Sequence, residues 1–248
     1  MYYWNMNFIK CSGFIVLLFS GMKVDAAVIR VAAIGDSITQ GLGAPSSFSY
    51  PMQLQALLGA GYEVRNFGVI GANVKPAGSA GSSREYAETS AYTESLAFNP
   101  HIVISNFGFN QVHDWSGVSD FVADYRLLLD SYQSLGVNPR IIIWDKMIPH
   151  FESAAQFDPS ITQGINDGLA QIIIDEAGAV EGLDMFSAFS DPSVTRSSHY
   201  ADSIHPNAQG AQLISEVTAA ALLPEPELSI MLVLSGFVFV FRRTKNSR

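Results

Sequence analysis

The chain has 248 residues, of which 14 are basic and 23 are acidic, so its formal net charge is −9 at pH 7. Hydrophobic residues make up 48% of the sequence, enough for one domain of about 200 residues to bury its own core. The acidic balance excludes the basic footprint that binding to nucleic acid or to an anionic membrane surface requires.

The first 26 residues have the layout of a signal peptide. Lys10 precedes an apolar run at 11–22, and small residues, Ala26 and Ala27, lie at the expected cleavage site. A basic start, an apolar stretch and a small-residue cleavage site are typical of secretion. An N-terminal membrane anchor is the alternative, although the run is shorter than the roughly 20 residues of a spanning helix. We predict a signal peptide over 1–26, which would contain Cys11, the only cysteine.

Apolar runs alternate with amphipathic stretches along residues 27–223. Strands are predicted at 28–34, 62–67, 101–107, 140–145 and 179–185, helices at 50–58, 118–135, 160–177 and 207–222, and loops at 41–48, 76–83 and 149–157. Alternation of strands and helices favours a parallel sheet that is covered on both faces. We therefore predict an α/β fold with three α/β/α layers, flavodoxin-like, built on a parallel five-stranded sheet.

The sequence Gly-Asp-Ser-Ile at 35–38 directly follows the first predicted strand. Ser37 then lies at the carboxyl edge of the sheet, where open α/β folds place their active sites. A serine hydroxyl at that edge can act as a nucleophile when a base reaches it. The alternative is a helix N-cap, because Asp and Ser are both favoured at that position.

A base is available far downstream, in Asp-Ser-Ile-His-Pro at 202–206. Asp202 and His205 are three residues apart, in a predicted turn ahead of a helix. This spacing lets the carboxylate reach the imidazole Nδ1 and leaves Nε2 directed at a serine. The alternative is a second capping motif, with Pro206 beginning the helix.

Two further segments follow predicted strands and could supply hydrogen-bond donors. Gly71 ends the segment 66–71, where a glycine permits close approach of its backbone N–H to an oxyanion. Asn110 lies in the segment 106–111, and its side-chain amide can donate to developing negative charge. Taken alone, each residue is better explained as part of an ordinary turn.

Together and in this order, the four segments resemble the GDSL family of serine hydrolases, also called SGNH hydrolases, over about residues 28–222. The resemblance implies Ser37 as the nucleophile, His205 as the base and Asp202 as the acid that orients it. It also implies an oxyanion hole formed by Ser37, Gly71 and Asn110. It implies no metal and no organic cofactor.

The chain departs from the family pattern at two positions. Gln111 replaces the usual acid after Asn110, which puts the local support of Asn110 in question, and Ile38 replaces leucine, a change of similar volume. Ser-Ser-His at 197–199 is predicted to be a loop. Three histidines other than His199 and His205 lack the spacing of metal ligands. They are His101, His113 and His150.

The last 25 residues resemble a PEP-CTERM sorting signal. Pro-Glu-Pro at 224–226 precedes an apolar segment at 228–241, and four of the last seven residues are basic. The resemblance implies a Gram-negative bacterium, transient membrane anchoring of the C-terminal segment, and processing by an exosortase-type enzyme. A final core strand or helix is the alternative. Residues 27–226 alone hold 8 basic and 21 acidic residues, a net charge near −13.

We therefore expect an exported serine hydrolase, an SGNH/GDSL-type esterase or lipase, that cleaves acyl esters. The sorting signal favours O-acyl or O-acetyl groups of an extracellular polysaccharide as the substrate, and the cell surface or extracellular matrix as the location. Two alternatives stay open. One is a catalytically weak matrix-binding surface protein, and the other is an acyltransferase that uses the same triad.

Overall fold

The computed structural model describes residues 27–79, 81, 83–151 and 157–223. In the terminal segments it describes the backbone of two antiparallel hairpins, Trp4–Cys11 with Phe14–Gly21 and Val233–Leu234 with Phe237–Val238. The predicted signal peptide and sorting signal otherwise lie outside the described residues, and both stay predictions. None of the helices described is both long and apolar enough to cross a membrane.

Five parallel strands form the central sheet. They are β1 Ile29–Gly35, β2 Tyr62–Gly68, β3 Ile102–Asn106, β4 Arg140–Trp144 and β5 Val180–Leu183. Their order across the sheet is β2-β1-β3-β4-β5, with every neighbouring pair parallel. This is the flavodoxin-like order, and it confirms the predicted fold class.

Within the described residues, eight α-helices connect or flank the strands. They are α1 Ser37–Gln40, α2 Tyr50–Leu58, α3 Ser90–Ala97, α4 Val118–Gln133, α5 Pro159–Asp175, α6 Met185–Phe189, α7 Arg196–His199 and α8 Ala208–Leu222. The four predicted helices correspond to α2, α4, α5 and α8. The other four are short, and α3 is rich in Ser and Thr, which are weak helix formers. Thr89 caps α3 by accepting the N–H of Tyr92, a local bond that the apolar periodicity does not reveal.

The helices cover both faces of the sheet. Helices α2 and α8 pack against each other, as do α4 and α5, while Tyr92 of α3 contacts Tyr132 of α4 edge-on. The strand β1 between these layers is apolar throughout its second half, where Val31 to Ile34 are fully buried. A strand buried on both faces has this continuous apolar pattern.

The three strands β1, β2 and β3 end side by side at the carboxyl edge. Gly35 at the end of β1 pairs with Gly68 of β2 and with Asn106 of β3. A Cβ at Gly35 would collide with Thr39 Oγ1, and one at Gly68 would collide with the backbone of Gln40. Glycine at both strand ends therefore lets α1 lie directly on this edge.

Candidate active site

Ser37 is the first residue of α1 and is 6% exposed. The residue before it, Asp36, is the N-cap, and its Oδ1 accepts the N–H of Ile38 at 2.9 Å. The capping interpretation of this motif is therefore correct for Asp36. It does not compete with a reactive Ser37, because the cap leaves the serine hydroxyl unused.

The hydroxyl of Ser37 contacts His205, which is 168 residues further along the chain. Ser37 Oγ lies 2.9 Å from His205 Nε2. On the other side of the ring, His205 Nδ1 lies 2.7 Å from Asp202 Oδ2. With Nδ1 protonated and donating to the carboxylate, Nε2 is left as an acceptor for the serine hydroxyl. The structure thus brings the three predicted residues together in one chain of contacts.

The turn before α8 holds Asp202 in place. Asp202 Oδ1 accepts the backbone N–H of His205 at 2.7 Å and that of Ile204 at 2.8 Å. Burial opposes ionisation of this carboxyl, but these hydrogen bonds and the one from the His205 ring outweigh it and lower the pKa of Asp202. A carboxylate that is ionised at neutral pH can stabilise an imidazolium beside it.

Gly43, assigned from sequence only to the loop after Ser37, supports the other side of His205. Its φ is +97°, and a Cβ there would lie 2.7 Å from the carbonyl oxygen of Pro206 and 2.9 Å from His205 Cβ. The loop backbone therefore packs against the histidine with no room for a side chain. Sequence alone could not reveal this contact, because 162 residues separate the two positions.

Gly71 and Asn110 line one cavity of about 490 Å³, together with Ile70, Ser83, Arg84 and His113. Gly71 has φ +74°, and its N–H donates to no acceptor in the described part of the chain. The cavity adjoins α1, because the N–H of Ile70 donates to Gln40 Oε1 at 2.6 Å. Among the contacts described, none joins Ser37 directly to Gly71 or Asn110.

Asn110 is held by the neighbouring loop and not by Gln111. Its Nδ2 donates to the carbonyl oxygen of Ala72 at 3.0 Å, and Ser83 Oγ donates to its backbone carbonyl at 3.1 Å. Gln111 is buried, and its Oε1 has no hydrogen-bond partner among the described residues. Support for Asn110 therefore comes from Ala72 and Ser83, which lie outside the four sequence motifs.

The Ser-Ser-His segment at 197–199 forms most of the helix α7, so the predicted loop is wrong there. Ser198 Oγ lies 2.7 Å from His199 Nδ1. The same hydroxyl closes a capping box with Thr195, which explains why a short polar segment is helical. The segment lies beside a second cavity of about 510 Å³, lined by Arg196, Tyr200, Asp202 and their neighbours.

No group of three or more His, Cys, Asp or Glu side chains within the described residues is arranged to hold a metal ion. The histidine nearest to β1, His101, accepts the backbone N–H of Arg30 through Nδ1 at 3.0 Å. That bond fixes its ring at the start of β3, away from the carboxyl edge. The chemistry available at the edge is that of a serine, an imidazole and a carboxylate.

Comparison with known proteins gives the same family as the motifs. The model of the GDSL-like Lipase/Acylhydrolase family matches residues 33–213. An acetylxylan esterase of Xylanibacter ruminicola is 29% identical over 221 residues, which cover 81% of this chain and 44% of that protein. The chain thus spans less than half the length of this relative.

Solved structures share the fold at low sequence identity. A carbohydrate acetylesterase family member from Sinorhizobium meliloti has a TM-score of 0.61 and 19% identity, covering 79% of this chain and 97% of that one. A lipase/acylhydrolase from Enterococcus faecalis has a TM-score of 0.60 and 16% identity, covering 79% and 95%. The predicted family is confirmed by a match over most of the domain: this chain belongs to the GDSL-like lipase/acylhydrolase family of ester hydrolases.

Proposed function

We propose that the chain hydrolyses acyl esters through a triad of Ser37, His205 and Asp202. The observation that carries the proposal is the continuous contact from Ser37 Oγ to His205 Nε2, and from His205 Nδ1 to Asp202 Oδ2. Nucleophile, base and orienting acid in hydrogen-bond reach of one another are the arrangement that activates a serine.

In the first half-reaction, Ser37 Oγ attacks the ester carbonyl carbon while its proton passes to His205 Nε2. Asp202 stabilises the imidazolium that results. The carbonyl oxygen becomes an oxyanion, for which the N–H groups of Ser37 and Gly71 and the amide of Asn110 are the proposed donors. Loss of one such donor typically costs about 3 kcal/mol of transition-state stabilisation.

Collapse of this intermediate breaks the bond to the alcohol, which leaves with the proton from His205. The acyl group is then an ester of Ser37. A water molecule gives its proton to His205 and attacks this ester, and the acid product departs as the proton returns to Ser37. Every proton in the cycle moves through the one nitrogen, Nε2, that contacts the serine.

For the substrate we propose an O-acyl group, in the first instance O-acetyl, on an extracellular polysaccharide. A relative that bears the name acetylxylan esterase supports this choice. The cavity of about 510 Å³ is lined in part by Asp202, and the cavity of about 490 Å³ contains Gly71 and Asn110. We propose that a carbohydrate chain extending past the reacting ester occupies them.

The domain layout belongs to the same proposal. A signal peptide over 1–26, the hydrolase domain over 27–223 and a sorting signal over 224–248 would export the enzyme and anchor it for a time in the membrane. Processing by an exosortase-type enzyme would then release it to the surface or matrix, where acylated polysaccharides are found. The support for the signal peptide and the sorting signal is the pattern of residues in these two terminal segments.

The test compares the native protein with Ser37→Ala on short-chain nitrophenyl esters and on acetylated glycans, with circular dichroism to verify folding. We expect release of nitrophenol and of acetate by the native protein and loss of both in the folded variant. Unchanged turnover in Ser37→Ala would overturn the assignment of the nucleophile. Rapid cleavage of long-chain lipid esters, with acetylated sugars untouched, would overturn the substrate class.

A further inference from the structure

Arg84 is the one arginine of the described domain whose side chain has no hydrogen bond, ion pair or aromatic contact with another described residue. Each of the other five arginines contacts a carboxylate, a carbonyl oxygen or an aromatic ring; they are Arg30, Arg65, Arg126, Arg140 and Arg196. Its guanidinium is therefore a candidate site for an anionic ligand.

The backbone of Arg84 is tied to the proposed oxyanion loop. Its N–H donates to the carbonyl oxygen of Gly71 at 3.0 Å, and it pairs with Ala72 in a two-residue parallel bridge. Its exposed side chain lines the cavity of about 490 Å³ that also contains Gly71 and Asn110. The backbone of Arg84 is therefore fixed beside the place where an ester carbonyl would bind, and its side chain lies in the same cavity.

The carboxylates near Arg84 accept backbone N–H groups and form no ion pair with it. Glu88 shares a neighbouring cavity with Arg84 but accepts the N–H of Gly78 at 2.7 Å. Asp114 accepts the N–H of Ser83 at 2.9 Å and lies beside Asn73. No carboxylate of the described residues is within ion-pair distance of Arg84. The N–H donors of its guanidinium are therefore available to a ligand.

We propose that Arg84 binds a carboxylate of the substrate, so that the preferred substrates are acyl esters with a carboxylate close to the scissile bond. A planar guanidinium can donate two parallel hydrogen bonds to a carboxylate. Such charge-assisted hydrogen bonds are stronger than those between neutral groups. The carboxylate has two chemical sources, a uronate in an acylated polysaccharide or the free end of a dicarboxylic acyl group. This inference rests on the ester hydrolysis proposed above.

The net negative charge of the domain does not prevent this recognition. The Debye length at physiological ionic strength is about 8 Å, so distant acidic residues are largely screened. A direct contact between Arg84 and a carboxylate is screened much less. The local charge therefore decides which substrate is preferred, while the distant charges affect mainly the rate of encounter.

The experiment measures kcat/KM of the full chain on two matched pairs of substrates. One pair is 4-nitrophenyl acetate and mono-4-nitrophenyl succinate, which differ by a carboxylate in the acyl group. The other is an acetylated neutral xylo-oligosaccharide and an acetylated xylo-oligosaccharide bearing a glucuronate. The variants are Arg84→Gln, which removes the charge at similar length, Arg84→Lys, and Arg65→Gln as an exposed, ion-paired control.

We expect the native enzyme to prefer the anionic member of one pair by about tenfold or more, the range of one charge-assisted contact. Arg84→Gln should abolish that preference, Arg84→Lys should retain part of it, and Arg65→Gln should leave it at the native value. The pair in which the preference is found identifies the source of the carboxylate. The ratio within a pair is the readout, so a general loss of activity in a variant does not imitate the result.

Absence of any preference in the native enzyme, or an unchanged ratio in Arg84→Gln, would overturn the role of Arg84 while leaving ester hydrolysis intact. Absence of turnover on all four esters would instead overturn the proposed function, and this inference with it. The two failures are thus distinguishable in the same set of measurements.

Discussion

Asp36 and Asp202 lie on either side of the same serine–histidine pair in opposite environments. Asp36 is fully buried; its Oδ1 caps α1, but its Oδ2 has no partner in the described part of the chain. Burial raises the pKa of Asp36 to about 7, although hydrogen bonds from the backbone N–H groups of Ile38 and of Asp36 act against it. Asp202 instead has its pKa lowered, so the two carboxyls have different charges over a wide range of pH.

Substitutions in the proposed triad should differ in severity. His205→Ala removes the base and should lower kcat by about 10⁶-fold, as Ser37→Ala does, whereas Asp202→Asn should cost about 10⁴-fold, since the base and nucleophile remain. Steady-state kinetics on a nitrophenyl ester would measure all three. Native activity in His205→Ala would contradict the assignment of the base.

The raised pKa of Asp36 predicts stability that falls as pH rises. Between about pH 4 and pH 7 the folded protein keeps this proton and the unfolded chain does not, so the folded state binds more protons and the unfolding free energy decreases with pH. A shift of this size corresponds to about 4 kcal/mol at most.

Asp36→Asn removes the titration and keeps a residue suited to the N-cap. We expect the stability of the variant relative to the native protein to increase from acidic to alkaline pH, as measured by urea unfolding at about pH 5 and about pH 8. Parallel pH profiles for the two proteins would show that Asp36 is ionised when folded.

The loop between α1 and α2 links two elements that are distant in sequence. It leaves α1 at Gly41, packs against the turn before α8 at Gly43, and returns to the sheet through α2. The turn and α1 each contribute one half of the contact between Ser37 and His205. The loop therefore positions the histidine without providing a reacting group.

Gly43→Ala should reduce activity more than stability. The added methyl would push the His205 turn away, and a displacement of about 1 Å at a reacting group can cost about 10²-fold in rate. Gly59→Ala is the matched control, because Gly59 has φ +71° but open space where its Cβ would lie. Equal kcat values and melting temperatures for the two variants would indicate that backbone strain alone accounts for the effect of Gly43→Ala.

The described domain depends on one continuous apolar core. The core runs from α2 and α8 through the sheet to α4 and α5, and the only cysteine of the chain is Cys11, so an internal disulfide cannot contribute. All five residues of the central strand β3 are buried, and Ser105 Oγ lies 2.8 Å from the hydroxyl of Tyr125 in α4. Ile104, in the middle of β3, is fully buried.

Ile104→Ala should lower the unfolding free energy by about 2–5 kcal/mol, through lost burial and the cavity left behind. Leu127→Ala on the outer surface of α4, where the side chain is 59% exposed, should change it by about 0.5 kcal/mol or less. Urea unfolding would measure both values. Similar losses for the two would mean that β3 is not at the centre of the core.

Much of the fold and the identity of the candidate site residues were predictable from the order of residues. Apolar runs predicted all five strands of the sheet to within about two residues at each end. The signal is strongest for the three inner strands, because strands buried on both faces are almost wholly apolar. The four motifs indicated the family because their residue types and order are specific in combination. Apolar spacing did not predict short helices such as α7, because side-chain capping stabilises them instead.

Other properties depend on contacts between distant parts of the chain. Only folding brings His205 to Ser37 and packs Gly43 against the histidine. Folding also leaves one buried oxygen of Asp36, and the Arg84 side chain beside Gly71, without a partner among the described residues. A sequence motif specifies which chemical groups are present and their local conformation. Their distances, their burial and the charges that neutralise them are set by residues far away in the chain, and these quantities decide reactivity and recognition.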